Sequence, residues 1–155
     1  MPASITPASA ADLPAILDLL RAAQLPLDGL AEHVATTVTA RENDRLVGCA
    51  AVELYGESAL LRSVAVDEAV RGTGLGRALT AAALDLARAR GARTAYLLTT
   101  TAGGYFPRFG FRVISRGEVD PAVQRSVEFT TACPASALVM KLDLRHQTSA
   151  SMSEV

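Results

Sequence analysis

The sequence reads Arg71-Gly72-Thr73-Gly74-Leu75-Gly76-Arg77 between an apolar run, 60–66, and a long segment rich in alanine and leucine. Glycine lets the backbone approach a ligand without a side chain in between, and the first amide N–H groups of a helix converge on an anion. The two flanking arginines add full positive charges. The stretch therefore predicts a strand, a phosphate-binding turn and a helix, although a tight turn between two solvated arginines has the same local pattern.

The spacing of these glycines differs from the two commonest phosphate-binding motifs. A Walker A loop has lysine and then serine or threonine after its last glycine, whereas Arg77 and Ala78 follow Gly76. A dinucleotide fingerprint has G-x-G-x-x-G early in a β-α-β unit, whereas these glycines alternate in mid-chain. The pattern therefore predicts neither a P-loop nucleotidase nor a Rossmann dehydrogenase.

Length and composition predict one domain with its own core, at residues 1–144, followed by a disordered tail at 145–155. Of the 155 residues 50% are hydrophobic and 20% are charged, and the net charge is -1. This balance gives no electrostatic reason to expect nucleic acid or an anionic membrane as a partner. No apolar run has the length of a membrane span, and no basic segment followed by a hydrophobic one begins the chain. We expect a soluble, cytoplasmic protein.

The two cysteines, Cys49 and Cys133, lie far apart and lack the spacing of metal ligands. Reduced thiols are expected from this pattern, and no metal site is predicted.

Periodicity predicts an α/β fold in which an antiparallel meander precedes a parallel crossover. The predicted strands are 4–6, 37–41, 46–55, 59–66 and 94–100, and the predicted helices are 11–23 and 75–91. A strand, a helix and a strand of this length form a right-handed parallel crossover, and ligands in such sheets bind at the carboxyl ends of the strands. Val66 and Thr100 are therefore expected at the mouth of one cleft.

The glycine stretch resembles the R/Q-x-x-G-x-G/A signature of the GNAT acetyltransferases, with Arg71, Gly74 and Gly76 in the signature positions. A second segment, Tyr105-Phe106-Pro107-Arg108-Phe109-Gly110-Phe111, resembles the F-Y-x-K-x-G-F segment that closes the cofactor site of that family. The resemblance implies the GNAT fold, with a mixed sheet built from an N-terminal meander and a β-loop-α-β core. It also implies acetyl-CoA as cosubstrate and transfer of its acetyl group to an amine.

The resemblance also implies which residues hold acetyl-CoA. The backbone of the strand before the loop would bind the pantetheine and the thioester, and the loop would bind the pyrophosphate. The implied residues are Val64, Ala65, Val66, Arg71, Gly72, Thr73, Gly74, Leu75, Gly76, Arg77, Thr100, Phe106 and Arg108. The family tyrosine that often protonates the departing thiolate aligns with Phe106. Tyr105, one residue out of register, is either its catalytic replacement or an aromatic core contact, because one step turns a helical side chain by about 100°.

The candidate general base is Glu53, which lies late in an otherwise apolar strand. A buried acid has a raised pKa unless a cation holds it down. Arg62 lies near the mirror position on the next strand, so a cross-strand ion pair is the alternative to a catalytic role. A bound water is an equally good base, since many GNAT enzymes use no dedicated residue.

Arg62 is also a candidate for binding a substrate carboxylate or oxyacid, because a guanidinium offers two parallel donors. The other candidate residues on the acceptor side are Ser63, Thr99, Thr101, Glu128 and Cys133.

The nearest resemblance is to the arsenic-resistance N-acetyltransferases. It is carried by Leu61-Arg62-Ser63-Val64-Ala65-Val66, by 48–49, by Glu53 with 55–56, and by the runs 96–101, 128–129 and 133–137. It implies acetylation of a small amine, such as an amino acid that bears an arsenic or phosphorus oxyacid. A non-catalytic acyl-CoA sensor stays open because the family tyrosine is missing. A protein N-acetyltransferase is a third hypothesis, although no acidic tract that would recruit basic tails is visible. GNAT proteins often pair, so a homodimer is consistent with the resemblance.

Overall fold

The computed structural model describes residues 4–99, 105–126, 128–132 and 137–146. Among these residues, one sheet has seven strands in the order β1-β2-β3-β4-β5-β7-β6. The strands are β1 Ser4–Pro7, β2 Thr37–Glu42, β3 Arg45–Tyr55, β4 Ser58–Val66, β5 Thr94–Thr99, β6 Arg112–Ile114 and β7 Leu138–Asp143. The α-helices are α1 Leu13–Ala22, α2 Leu75–Ala89 and α3 Pro121–Gln124, and short 3₁₀ turns include Leu30–Thr36 and Phe106–Phe109. The predicted mixed α/β sheet is confirmed.

Strands β1 to β4 form the predicted antiparallel meander. Asn43 and Asp44 close the hairpin between β2 and β3, and both have positive φ, at 53° and 68°. Such a two-residue turn matches the right-handed twist of the strands and suits Asn and Asp. Because the turn needs only these two residues, Glu42 belongs to β2, one residue beyond the predicted end of that strand at 41.

Strand β4 separates from β5 after its first three residues, which opens the sheet. The predicted parallel pairing joins only Ser58–Leu60 to Thr94–Tyr96. On its other edge β4 carries a bulge: Cys49 pairs with Ala65 and Ala51 with Arg62, so two steps of β3 match three of β4. Ser63 lies in this bulge with a positive φ of 60°. A bulge bends its strand, so the second half of β4 diverges from β5.

Helices cover both faces of the sheet. Leu79, Ala83 and Ala87 of α2 are buried in the cluster that contains Ala50 and Val52. The alternate residues Cys49 and Ala51 pack with Ile16 and Leu20 of α1 on the opposite face. Gly48 allows α2 to approach closely, because a Cβ there would lie 2.6 Å from Leu79 Cδ1.

The C-terminal part of the chain completes the sheet. Strand β7 inserts between β5 and β6 and runs antiparallel to both. Neither strand was predicted from the sequence, because β6 is only three residues long and the burial of β7 does not alternate strictly. The predicted tail overlaps a helical turn, Leu144–His146, in which Leu144 is buried; residues 147–155 lie outside the described part. In the described ranges, no helix is long and apolar enough to cross a membrane.

Candidate active site

The gap between the diverging halves of β4 and β5 is a cleft of about 960 Å³. The cleft is lined by the glycine loop, by Glu128 and by the connection after α1. Most of the predicted cofactor residues line it: Val64, Ala65, Val66, Arg71, Gly72, Gly74, Gly76, Arg77, Phe106 and Arg108. The cleft therefore joins the predicted cofactor side to the predicted acceptor side.

The three loop glycines are needed for two different reasons. Gly72 and Gly74 have φ values of 84° and 87°, where other residues are strained. Gly76 begins α2 with ordinary helical geometry, but a Cβ there would lie 3.3 Å from the Tyr105 hydroxyl and 3.6 Å from Val66 Cγ2. Because Gly74 has no side chain to cap α2, the first amides of this helix remain available to an anion in the cleft.

Two of the predicted cofactor residues shape the loop and do not line the cleft. The Thr73 hydroxyl donates to the Val70 carbonyl at 2.7 Å. Leu75 is the first residue of α2 and packs against the core. Arg71 lines the cleft and donates through Nε to the Val66 carbonyl at 3.2 Å, which ties the loop to the end of β4.

The aromatic segment after β5 closes one side of the cleft. Phe106 is buried and packs edge-to-face on Phe111, with ring centroids 5.9 Å apart. Tyr105 also lines the cleft, and its hydroxyl faces Gly76 at the start of α2. The guanidinium of Arg108 lies 5.8 Å from the centre of the Tyr105 ring. The only phenol of this segment is therefore next to the glycine loop.

A cluster of buried charges lies at the acceptor end. Arg62 Nη1 donates to Glu53 Oε2 at 2.8 Å, and Arg62 Nε lies 3.4 Å from Glu128 Oε2. Glu53 faces Leu60 across the β3–β4 pair, which places Arg62 two residues along on the same face. The cross-strand ion pair that the sequence analysis offered as an alternative is therefore present.

Arg62 is held by oxygens on several sides. Its Nη1 also donates to the Asp28 carbonyl at 2.7 Å, its Nη2 to the Pro26 carbonyl at 3.3 Å, and its Nε to Ser63 Oγ at 3.0 Å. Together with the bond to Glu53, these use four of its five N–H groups.

Glu53 lies behind Arg62 and is not among the residues that line the cleft. Its side chain is 2% exposed. The Tyr55 hydroxyl donates to Glu53 Oε1, and His33 Nε2 lies 3.6 Å from the same oxygen. The sequence analysis missed both partners, although the i, i+2 spacing of Glu53 and Tyr55 puts them on one face of a strand. The contact of His33 depends on the chain returning after α1, which has no local signal.

Glu128, which the sequence analysis assigned to the acceptor, has the most perturbed carboxyl of the cleft. Burial raises the pKa of Glu128 from its usual 4.5 to about 7; the Arg62 charge opposes the rise and the Glu53 charge adds to it. The carboxyl lines the cleft, so it can exchange a proton with a bound molecule near neutral pH.

The remaining acceptor wall comes from Leu98, Thr99, Ser63 and the connection after α1, where the sequence analysis expected no site residue: Ala23, Gln24, Leu25 and Pro26. Thr100, Thr101 and Cys133 lie outside the described residues. The other cysteine, Cys49, is buried beneath the bulge, and burial raises the pKa of its thiol to about 12. Within the described ranges, no group of three or more His, Cys, Asp or Glu could hold a metal ion.

The chain matches known proteins along most of its length. It is 28% identical over 109 residues, 70% of this chain and 68% of the relative, to the uncharacterized N-acetyltransferase CT2212 of Chlorobaculum tepidum. Among solved structures it is similar to Rv2747 of Mycobacterium tuberculosis, in complex with CoA and NLQ, with 27% identity and a TM-score of 0.76 over 90% of this chain and 98% of that one.

A second solved structure shares the fold at lower identity. It is the N-acetylglutamate synthase of Neisseria gonorrhoeae, complexed with coenzyme A and N-acetyl-glutamate, with 23% identity and a TM-score of 0.79. The match covers 92% of this chain but 35% of the synthase. A family model described as the acetyltransferase (GNAT) domain matches residues 33–113. The chain therefore belongs to the GNAT acetyltransferase family, and it is an acetyltransferase that takes its acetyl group from acetyl-CoA.

Proposed function

We propose that the chain transfers the acetyl group of acetyl-CoA directly to the amine of a small molecule in a ternary complex, with Glu128 as the general base. One observation carries the proposal: a single cleft joins the glycine loop at the start of α2 to a carboxyl with a pKa near 7. Direct transfer needs an anion-binding end for the cofactor and a proton acceptor for the amine within one cavity.

The cofactor end is built for a diphosphate. The backbone amides of Gly74, Gly76 and Arg77 lie at the start of α2, where an anion can bind. The side chains of Arg71 and Arg77 line the cleft next to these amides. In this proposal the backbone of Val64–Val66, which diverges from β5, bonds the pantetheine and the thioester oxygen. That strand segment is free of parallel partners because pairing with β5 stops at Leu60.

The acceptor end supplies the proton transfer. Glu128 takes one proton from the ammonium form of the acceptor, and the neutral nitrogen then forms a bond to the thioester carbonyl carbon. The attack leaves a positive charge on the nitrogen, which loses a second proton to solvent. The carbon–sulfur bond breaks to give the neutral amide, and the departing thiolate takes a proton. Tyr105 is the candidate donor to the thiolate, because its hydroxyl lies at the start of α2 within the cleft.

Two observations bear on the acceptor. Rv2747 and the gonococcal synthase were solved with NLQ and with N-acetyl-glutamate, which supports an amino acid as acceptor. Arg62 and Ser63 line the same end of the cleft as Glu128, and the one N–H of Arg62 outside the described bonds can donate to an acid group. An amino acid bearing an arsenic or phosphorus oxyacid is the finer proposal, which rests on the resemblance to the arsenic-resistance subgroup.

The test is release of free coenzyme A thiol from acetyl-CoA with a panel of small amines. The panel pairs ordinary amino acids, oxyacid analogues of glutamate and amines that lack an acid group. We expect acetylation above hydrolysis for at least one class, and a loss of about 100-fold or more in kcat for Glu128→Gln, since general-base catalysis contributes 10²–10⁴-fold. Saturable acetyl-CoA binding without turnover on any amine would instead favour the non-catalytic sensor.

The cofactor assignment has its own test, isothermal titration of acetyl-CoA. We expect a variant with bulky residues at Gly74 and Gly76 to lose binding, because both the backbone conformation and the space beside Tyr105 are lost. Equal affinity in the variant and the wild type would refute the loop as the diphosphate site. Intact-mass measurement on added proteins tests the protein-acetyltransferase hypothesis. A cytoplasmic location and a homodimer stay predictions.

A further inference from the structure

Arg62 lies between two carboxylates at unequal distances. The shorter contact, 2.8 Å, is to Glu53, and the longer, 3.4 Å, is to Glu128. All three side chains are at least 96% buried. Since water screens buried charges little, the electrostatic interactions among these three side chains are strong.

One guanidinium carries one positive charge and cannot fully compensate two carboxylates. Glu53 has the close contact to Arg62 and also the hydroxyl of Tyr55, with His33 Nε2 at 3.6 Å. Glu128 has the longer contact and also faces the repulsion of Glu53. Glu53 therefore has the closer contact with the Arg62 charge, and at Glu128 the effect of burial on the pKa outweighs the opposing charge of Arg62.

We propose that Glu53 is a positioning residue that sets the pH range in which Glu128 works, acting through Arg62, and that it does not itself take the proton of the acceptor. The inference rests on the proposed role of Glu128 as base. The position of Glu53 supports it, because Arg62 separates its carboxylate from the cleft, whereas Glu128 lines the cleft.

The other groups around Glu128 leave Arg62 and Glu53 as the main influences on its charge. Helix α3, which contacts the turn Glu128–Ala132, contains no titratable residue. Arg116 lies over the Phe129 ring at 5.3 Å, next to Glu128 in the chain. Tyr55 and His33 both contact Glu53. Burial raises the pKa of the Tyr55 phenol and the Glu128 charge adds directly to this rise, but Tyr55 is neutral in the pH range of interest.

The test is the pH dependence of kcat/KM in Glu53→Gln. The amide keeps an oxygen for Arg62 but removes a negative charge, so Arg62 can compensate Glu128 and the repulsion disappears. The acid limb is the low-pH part of the profile, where protonation of the base reduces kcat/KM. We expect it to move to lower pH by about one pH unit, so that at a pH below the limb the activity, as a fraction of the plateau, is about tenfold higher than in the wild type. The plateau itself should fall only a few-fold.

Tyr55→Phe is the matched control, because it removes a hydrogen bond to Glu53 and leaves the charge of Glu53 in place. Its acid limb should stay where the wild type has it. A folded Glu53→Gln variant that loses about 100-fold or more at every pH would identify Glu53 as the base and overturn the proposal. An unmoved limb with activity retained would overturn it as well.

A separate measurement distinguishes this inference from the proposed function. If the acid limb persists in Glu128→Gln, Glu128 is not the base and the proposed function fails at that point. If Glu53→Gln does not fold, ¹³C-carboxyl NMR of the wild type replaces it. The Glu128 resonance, which is assigned by its absence in Glu128→Gln, should titrate between pH 6 and 8. The chemical shift of the Glu53 carboxyl should change over the same pH range. A Glu53 chemical shift that stays constant over that range would rule out the coupling.

Discussion

The ionised carboxylate of Glu128 destabilises the folded protein, because its site is buried. Burial raises the pKa of this carboxyl from 4.5 to about 7. Between these two pH values the unfolded chain releases the proton while the folded chain keeps it. Folding therefore binds a proton in this window, and the stability contributed by this site falls as the pH rises. Below pH 4.5 both states are protonated and the cost vanishes.

We predict that Glu128→Gln removes this pH dependence, because glutamine does not titrate. Relative to the variant, the wild type should lose about 3 kcal/mol of stability between pH 4 and pH 8. Urea denaturation of both proteins at several pH values measures the difference. Curves that run parallel over the whole range would mean that the carboxyl has an ordinary pKa in the folded protein.

At the scale of elements, the bulge in β4 and the close packing of α2 produce the cleft together. The bulge turns the second half of β4 away from β5, and Ser63 lies within it at a φ of 60°. Helix α2 starts at the open end, and Gly48 of β3 lets the helix lie directly on the sheet. The glycine loop therefore faces the gap between the strands.

The contact between α2 and β3 predicts the effect of a methyl group at Gly48. In Gly48→Ala the added Cβ would lie 2.6 Å from Leu79 Cδ1 and 3.3 Å from the Ala65 carbonyl oxygen. Leu79 is fully buried and has little room to move, so we expect a loss of about 1–3 kcal/mol in the free energy of unfolding.

A double-mutant cycle with Leu79→Ala is the control for this prediction. Leu79→Ala alone should cost about 2–5 kcal/mol because it leaves a cavity. In that background Gly48→Ala should cost less than in the wild type, since the atom it meets is gone. Additive costs, measured from urea midpoints, would show that the leucine contact is not what excludes a side chain at position 48.

At the scale of the whole molecule, charge is distributed unevenly although the net charge is only -1. Arg71, Arg77 and Arg108 all line the cleft, and all three are exposed. The acceptor end instead combines Arg62 with two carboxylates. The molecule thus presents three exposed arginines where the phosphates of acetyl-CoA are proposed to bind.

We predict that acetyl-CoA binds more weakly as salt increases, because exposed charge pairs are screened. Between 50 and 500 mM NaCl the affinity should fall about fivefold, as expected for a few exposed pairs worth less than 1 kcal/mol each. Arg77→Gln should reduce this salt dependence, whereas Arg112→Gln, an exposed arginine on β6 that does not line the cleft, should leave it unchanged. Titration calorimetry at several salt concentrations distinguishes the two variants, and equal slopes would place the phosphates elsewhere.

Local patterns in the sequence determined the parts of this protein that depend on neighbours in the chain. The glycine loop before α2, the Asn43-Asp44 hairpin and the apolar run of β3 follow from backbone conformation and residue type, so the meander and the strand–loop–helix could be predicted from the residues. The GNAT fold was predicted from the resemblance of the two motifs. The pairing of Glu53 with Arg62 was also accessible, because a tight turn places their strands in register.

Tertiary structure alone decided how the charged side chains share the cleft. Nothing local marks Glu128 as the carboxyl with the raised pKa, since that rise depends on burial and on charges contributed by distant segments. His33 comes from the turn after α1, Glu128 from a turn after α3, and β7 enters the sheet between β5 and β6. Such contacts join residues far apart in the chain. They are stabilised by burial and by charge interactions, and both arise only once the sheet and its two helical layers have assembled.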